Sequence, residues 1–175
     1  VIDEAGELGI VHRDLTPKNL FLADVDGKQM WKVLDFGVAT LSESSGTLTQ
    51  GHVVGTPTYM TPEQAQGLPV DHRADIYALA AITYRWITGQ PAFFGKDIPS
   101  LLYQIVHTMP RCPSQFGDNL DQIDAVLAIG LAKKPEDRFE KAHELASAVS
   151  AALAGDLDFE LHRRGETLMR RYPWA

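Results

Sequence analysis

Three polar side chains in the first part of the chain have the types and the spacing for work on phosphate groups. Asp14 and Asn19 lie five positions apart in the stretch HRDLTPKN, residues 12–19, and Asp35 follows sixteen positions after Asn19. A carboxylate can accept a proton, and carboxylate and amide oxygens are ligands that Mg²⁺ prefers. The stretch is too polar for a core strand and too irregular for a helix, so the sequence predicts a loop that carries chemistry.

Short β-prone runs surround this loop and must position its side chains. Residues 10–12, 20–23 and 30–36 are rich in aliphatic and aromatic residues, and an Asp-Gly pair separates the last two runs. These runs predict two small hairpin-like pieces. Residues 37–50 are rich in Ser, Thr, Gly and Glu, which predicts a surface segment.

The second half of the chain has the patterns of helices. Four helices are predicted, over residues 76–88, 101–109, 120–132 and 139–153. Ser100 precedes the second of them, and Gly89 ends the first. The tail from Asp156 onward is charged and alternates arginines with apolar residues. We expect it to form a helix that lies on its own domain, although docking to a partner or to lipid is the alternative.

The composition excludes several classes of partner and site. The net charge is −7, from 23 acidic and 16 basic residues, so a nucleic-acid partner is not expected. The longest apolar stretch, residues 77–82, is far shorter than the roughly 18 residues of a membrane span. The single cysteine, Cys112, can form neither an internal disulfide nor a zinc site of the usual spacing, which favours a cytoplasmic location.

Five segments occur in an order that is typical of protein kinases. HRDLTPKN resembles the catalytic loop, DFG at 35–37 the magnesium motif, and GTPTYMTPEQ at 55–64 the substrate-docking segment. DIYALA at 75–80 resembles the central buried helix, and KPEDRF at 134–139 resembles the late arginine motif. The chain is thus similar to the carboxy-terminal lobe of a bacterial, eukaryotic-type serine/threonine protein kinase. The resemblance implies a mainly α fold with short β-hairpins around the catalytic loop and the DFG motif.

The resemblance also implies a division of the chain. The large lobe is expected to cover residues 1–155, with the catalytic loop at 12–19, the activation segment at 35–63 and the helical part at 70–153. The charged tail, residues 156–175, would follow it.

The family's catalytic and nucleotide-binding residues carry over position by position. The resemblance implies that Asp14 orients the acceptor hydroxyl and accepts its proton, while Asn19 and Asp35 hold Mg²⁺ on the phosphates of ATP. Asp14 and Lys18 are further expected nucleotide contacts. Thr56 resembles the docking-loop threonine that contacts the catalytic aspartate, which favours serine/threonine over tyrosine specificity.

Four further residues have structural roles in the resemblance. His12 would pack between the catalytic loop and Phe36. Asp75 resembles the buried aspartate that accepts backbone amides of the catalytic loop, with a helix cap as the plainer alternative. Glu63 and Arg138 resemble the partly buried pair that ties the docking segment to the late helices.

Regulation by phosphorylation is a further implication of the resemblance. Arg13 resembles the arginine of kinases that are activated when their activation segment is phosphorylated. Thr47 or Thr49 is the expected phosphorylation site in this chain.

The sequence departs from the family pattern at the catalytic loop and upstream of it. Thr16 stands where most such kinases have a lysine, so either Lys18 or another base replaces that charge, or turnover is weak. No glycine-rich phosphate loop occurs, and the chain starts at Val1. We expect a fragment that lacks its amino-terminal lobe, binds ATP poorly and is inactive alone. Whether a membrane anchor lies outside this fragment is left open by the sequence.

Three functions are weighed for this sequence. The leading one is phosphoryl transfer from Mg-ATP to serine or threonine of protein substrates. The alternative is a non-catalytic interaction module, either a truncated kinase or a pseudokinase. A small-molecule phosphotransferase is a third interpretation, which the docking-like segment 55–64 disfavours.

Overall fold

The computed structural model describes residues 1–35 and 57–175. Within these ranges the regular elements are α1 (Ile2–Glu7), β1 (Leu20–Val25), β2 (Lys28–Val33), α2 (Pro62–Ala65), α3 (Arg73–Thr88), α4 (Ile98–His107), α5 (Asp121–Gly130), α6 (Ala142–Ala154) and α7 (Phe159–Arg171). Short 3₁₀ helices lie at Pro17–Asn19, Pro57–Tyr59, Pro113–Gln115 and Pro135–Asp137. The mainly α character predicted from the sequence is confirmed. Among the helices of residues 1–35 and 57–175, none combines the length and the hydropathy that a membrane span requires.

The two strands form one antiparallel hairpin around the Asp-Gly pair. Asp26 and Gly27 both have positive φ, 53° and 77°, which is the backbone conformation of the tight hairpin turn that Asp-Gly favours. Residues 10–12 form no strand, so residues 1–35 contain one hairpin and not the two that were predicted. The physical reason is that the His12 N–H donates to the Asp75 carboxylate instead of to a neighbouring strand.

The longest helix, α3, lies at the centre of the hydrophobic core. Tyr77, Ala80 and Ile82 are each at most 1% exposed, and they face different neighbours around the helix. The helix ends where Gly89 adopts a left-handed conformation, as the sequence predicts, but it begins three residues before the predicted start. The other elements of the core therefore pack around α3.

A second buried helix, α5, lies between α3, α6 and α7. Every residue from Ile123 to Gly130 is buried. A Cβ atom added to Gly130 would lie 2.6 Å from the Cβ of Ala80, so the backbones of α5 and α3 approach closely. The tail forms α7 and packs against the other side of α5, which confirms that it lies on its own domain.

Two further predicted helix starts, those of α4 and α6, were also wrong by three residues. The N-cap of α4 is Asp97, whose carboxylate accepts from the Ser100 N–H, so Ser100 lies inside the first turn. Helix α6 begins at Ala142 with Lys141 as its N-cap, so the buried Phe139 lies before the helix and not in its first turn. Both errors arise because apolar spacing alone does not locate the capping residue.

The amino-terminal helix α1 caps α6 from outside that helix. The Asp3 carboxylate accepts hydrogen bonds from the backbone N–H groups of Ala142 and His143 and from His143 Nδ1. Burial raises the pKa of Asp3, but the hydrogen bonds from His143 and the two amides outweigh it, so the pKa lies below its usual value of 3.8. An ionised Asp3 therefore stabilises the start of α6.

Replacing Asp3 with alanine is expected to lower the free energy of unfolding by about 1 kcal/mol at neutral pH, as for the loss of an N-cap. Because the folded-state pKa of Asp3 is lowered, this contribution is present above pH 3.8 and is lost as the pH falls through the folded-state pKa. Urea unfolding should show the difference between wild type and Asp3→Ala shrinking in acid. Glu4→Ala is the matched control, since the Glu4 side chain is 82% exposed; a difference that grows in acid would contradict the prediction.

Candidate active site

The loop 12–19 is anchored on the central helix α3. Asp75, which is 2% exposed, accepts the backbone N–H of His12 at 2.8 Å and that of Arg13 at 3.0 Å. The N-cap of α3 is His72, so Asp75 lies in the first turn and its carboxylate points to the loop rather than capping its own helix. Burial raises the pKa of Asp75, while these two hydrogen bonds act to lower it. The carboxylate fixes two consecutive amides directly before Asp14.

The His12 ring links this loop to the end of strand β2. His12 is 2% exposed, its Nδ1 lies 3.4 Å from the Asp14 N–H, and its Nε2 lies 2.9 Å from the Leu34 carbonyl oxygen. Both contacts are satisfied when Nδ1 accepts from the Asp14 N–H and Nε2 carries a proton and donates to the Leu34 carbonyl. The expected contact with Phe36 lies outside the described residues.

The hairpin brings Asn19 and Asp35 to the same end. The Leu34 N–H donates to the Asn19 carbonyl at 2.8 Å, so the residue before Asp35 is bonded directly to Asn19. Asp35 has a positive φ of 59°, an uncommon conformation for a residue other than glycine, and its side chain is exposed. The amide oxygen of Asn19 accepts the Thr16 hydroxyl at 2.7 Å.

Several of the predicted site side chains are open to solvent. Asp14, Lys18 and Arg13 are all exposed, and Arg13 has a positive φ of 67°. Strained backbone of this kind persists only where neighbouring groups hold it, as Asp75 does here. Three predicted site residues, Thr47, Thr49 and Thr56, lie outside the described residues.

Helix α2 and the residues beside it contact the same loop from another direction. Thr61 and Gln64 form a capping box, and Gln64 Nε2 also donates to the Arg13 carbonyl at 2.7 Å. The sequence reasoning missed Gln64, although the Thr-x-x-Gln spacing is a recognisable capping signal. It also missed the contact from Thr16 to Asn19.

Glu63 and Arg138 form a buried bidentate ion pair. Both guanidinium-to-carboxylate distances are 2.7 Å, and the two residues are 4% and 3% exposed. Arg138 Nε donates in addition to the Ala132 carbonyl at 2.9 Å, and the guanidinium lies 4.8 Å from the centre of the Tyr77 ring. The pair joins α2 to the turn before α6, 75 positions away in sequence.

The donor set at the end of the hairpin suits a hard divalent cation. Asn19 offers an amide oxygen and Asp35 a carboxylate, and both are oxygen ligands of the kind that Mg²⁺ takes together with phosphate oxygens and water. Across residues 1–35 and 57–175 no cluster of three or more His, Cys, Asp or Glu side chains forms a complete metal cage.

Replacing Asp75 with asparagine is expected to lower the free energy of unfolding by about 1–3 kcal/mol, because the amide can accept only one of the two loop N–H groups and leaves the other unpaired. Hydrogen exchange at His12 and Arg13 should accelerate with it. Asp156→Asn is the control for loss of an exposed carboxylate, and it should change the stability by less than about 0.5 kcal/mol. Unchanged exchange at the two loop amides would contradict the anchoring role of Asp75.

Comparison with known proteins gives one consistent result. The family model described as protein kinase domain matches residues 6–149. The chain is 38% identical over 153 residues to a probable serine/threonine-protein kinase of Corynebacterium efficiens, covering 83% of this chain and 23% of that protein. It is 40% identical over 139 residues to serine/threonine-protein kinase PknB of Mycobacterium leprae, covering 78% of this chain and 22% of that protein. The chain thus spans less than a quarter of the length of these relatives.

Solved structures give the same result at the level of the fold. The kinase domain of Mycobacterium tuberculosis PknI superposes with a TM-score of 0.62 at 30% identity, covering 86% of this chain and 50% of that chain.

Proposed function

Because this chain belongs to the protein kinase family, we propose that it is the large, carboxy-terminal lobe of a serine/threonine protein kinase. The names of the relatives and the mainly helical fold support this proposal. The amino-terminal lobe, ATP and a protein substrate are its proposed partners, and the cytoplasm is its proposed location. The helical part of the lobe would present the docking surface for the substrate.

The observation that carries the proposal is the convergence of Asp14, Asn19 and Asp35. Asp75 fixes the amides before Asp14, His12 ties the loop to Leu34, and the Leu34 N–H bonds to Asn19. These contacts support the proposal that Asp14 serves as a proton acceptor near two metal ligands, Asn19 and Asp35. That is the arrangement that phosphoryl transfer requires, since catalysis there consists of positioning and of stabilising charge.

Each of these residues has a distinct proposed role. The exposed Asp14 carboxylate orients the acceptor hydroxyl of a serine or threonine and accepts its proton. Asn19 and Asp35 hold Mg²⁺, which when bound would neutralise charge on the phosphates of ATP. Thr16 orients the Asn19 amide through its hydroxyl, 2.7 Å from the amide oxygen. Lys18 is the base nearest in sequence to Thr16 and is proposed to contact the phosphates in place of the usual lysine.

The regulatory and specificity residues are proposed from the family resemblance. The exposed Arg13 guanidinium would pair with a phosphate on Thr47 or Thr49, since a doubly charged phosphate attracts an arginine strongly. Thr56 is proposed to contact Asp14 and to favour serine or threonine acceptors.

The experiment that tests the proposal is phosphate transfer by the full-length protein that contains this chain. Transfer from MgATP to a generic basic protein is compared between wild type and Asp14→Asn. Transfer that depends on Asp14 supports the kinase. Equal signals from both proteins favour the non-catalytic interaction module, and phosphorylation of a small alcohol but of no protein favours a small-molecule phosphotransferase.

A further inference from the structure

The last helix, α7, lies outside the family match yet is seated tightly on the domain. The match ends at residue 149, and α7 covers Phe159–Arg171. Leu168 on this helix is 5% exposed. A Cβ atom added to Gly165 would clash with the Ala125 carbonyl oxygen, so the backbones of α7 and α5 are in direct contact. Such contact leaves α7 little freedom to slide along α5.

The connection between α6 and α7 is fixed by one side chain of α5. Gln122 Nε2 donates to the Gly155 carbonyl at 3.2 Å, and Gln122 Oε1 accepts the Leu157 N–H at 2.9 Å. The Asp158 carboxylate then caps α7 by accepting from its first amides. These contacts fix the start of α7, and its packing against α5 fixes its position along the domain.

Arg164 on α7 contacts the turn that contains Arg138. Arg164 Nη2 donates to the carbonyl oxygens of Asp137 and Arg138, at 2.8 and 2.6 Å, and its guanidinium lies 5.7 Å from the centre of the Phe139 ring. Arg171 adds an ion pair to the Asp137 carboxylate at 3.1 Å. The backbone of Arg138 is thus held by α7, while its side chain holds Glu63.

Beyond Glu63 the chain of contacts continues to the candidate active site. Gln64, the next residue, donates to the Arg13 carbonyl at 2.7 Å, and Arg13 directly precedes Asp14. Hydrogen bonds and the ion pair therefore connect α7 to the loop of the proposed catalytic aspartate without a gap.

We propose that Arg164 is a positioning residue that acts through Arg138 on the segment 61–68 and on the loop 12–19. Its two carbonyl contacts fix the backbone from which the Arg138 side chain reaches Glu63, and Glu63 fixes α2. The functional meaning of this link rests on the proposed kinase function, because only then do these segments serve substrate docking and catalysis. The link itself is a property of the folded chain.

Hydrogen exchange in the 175-residue chain tests this link without any measurement of phosphate transfer. Arg164→Met removes the donors and keeps an apolar stem over Phe139. We expect exchange at the amides of Ala65, Gln66 and Leu68 to rise about five- to tenfold, while amides in the middle of α3 keep their rates.

Two further variants sharpen this experiment. Arg163→Met is the matched control, because Arg163 is the neighbouring arginine, its side chain is 67% exposed and its guanidinium pairs with the exposed Glu160. This variant should leave segment 61–68 unchanged. Arg164→Lys keeps the charge but loses the planar two-carbonyl geometry, so a smaller, about twofold rise confined to that segment is expected. If Arg164→Met does not fold, Arg164→Lys is used as the only test variant.

The proposal is overturned if exchange in segment 61–68 is unchanged, or if it rises by the same factor as in α3. The first result would mean that α7 is not linked to α2, and the second that Arg164 acts only through global stability. Failure of the kinase function would be seen only in the transfer experiment and would leave the exchange pattern intact.

Discussion

Replacing Asp14 with asparagine is expected to reduce phosphate transfer by the full-length protein about 10²–10⁴-fold, the usual effect of removing a proton acceptor. Asparagine has nearly the same shape but no basic oxygen, so the acceptor hydroxyl would lose both its orientation and its proton acceptor. The Asp14 side chain is exposed, and it is the backbone N–H of Asp14, not its carboxylate, that contacts His12 Nδ1. Folding should therefore be unaffected.

Initial rates at saturating MgATP and protein substrate measure this effect. Asp118→Asn is a suitable control, because Asp118 is also exposed and precedes α5 on a loop outside the site. Thermal unfolding of Asp14→Asn should match that of wild type. A rate within a few-fold of wild type would mean that Asp14 is not the proton acceptor.

Replacing Arg138 with methionine is expected to lower the free energy of unfolding by about 3–5 kcal/mol, the cost of removing one partner from a buried ion pair. Glu63, which is 4% exposed in the wild type, would lose its counter-ion. The carbonyl oxygens of Ala132 and Arg73 would also lose their donor. Urea unfolding followed by circular dichroism measures the change.

A double variant separates the charge from the packing at this pair. Adding Glu63→Leu to Arg138→Met removes both charges, so most of the lost stability should return even though the carbonyl contacts do not. Arg163→Met is the surface control and should change stability by less than about 1 kcal/mol. If Arg138→Met alone costs no more than that control, the pair does not hold α2 to the turn before α6.

The sequence predicts features that depend on neighbours in the chain. The hairpin follows from the Asp-Gly pair, the end of α3 from Gly89, and the loop character of 12–19 from its polar and proline-containing composition. The kinase family was predicted because several local motifs occur in order, and the family match over residues 6–149 confirms it. The roles assigned to the site residues stay predictions.

Features that depend on tertiary packing were not predictable in this way. Gln64 reaches Arg13 across 51 positions, and Asp3 caps a helix 139 positions away. Local spacing cannot reveal such pairs, because hydrogen bonds of this type depend on where separate elements meet. The absence of a strand at residues 10–12 has the same cause, since the His12 N–H donates to the distant Asp75 carboxylate.

The close seating of α7 on α5 bears on where related genes should be cut for expression. A boundary taken from the family match would fall at residue 149, inside α6, and would discard α7. The Ala125 side of α5 would then face water, and uncovered apolar surface of this kind promotes aggregation. Recombinant versions should therefore extend beyond Arg171, and poor yield from shorter ones would reflect the position of the cut rather than an unstable fold.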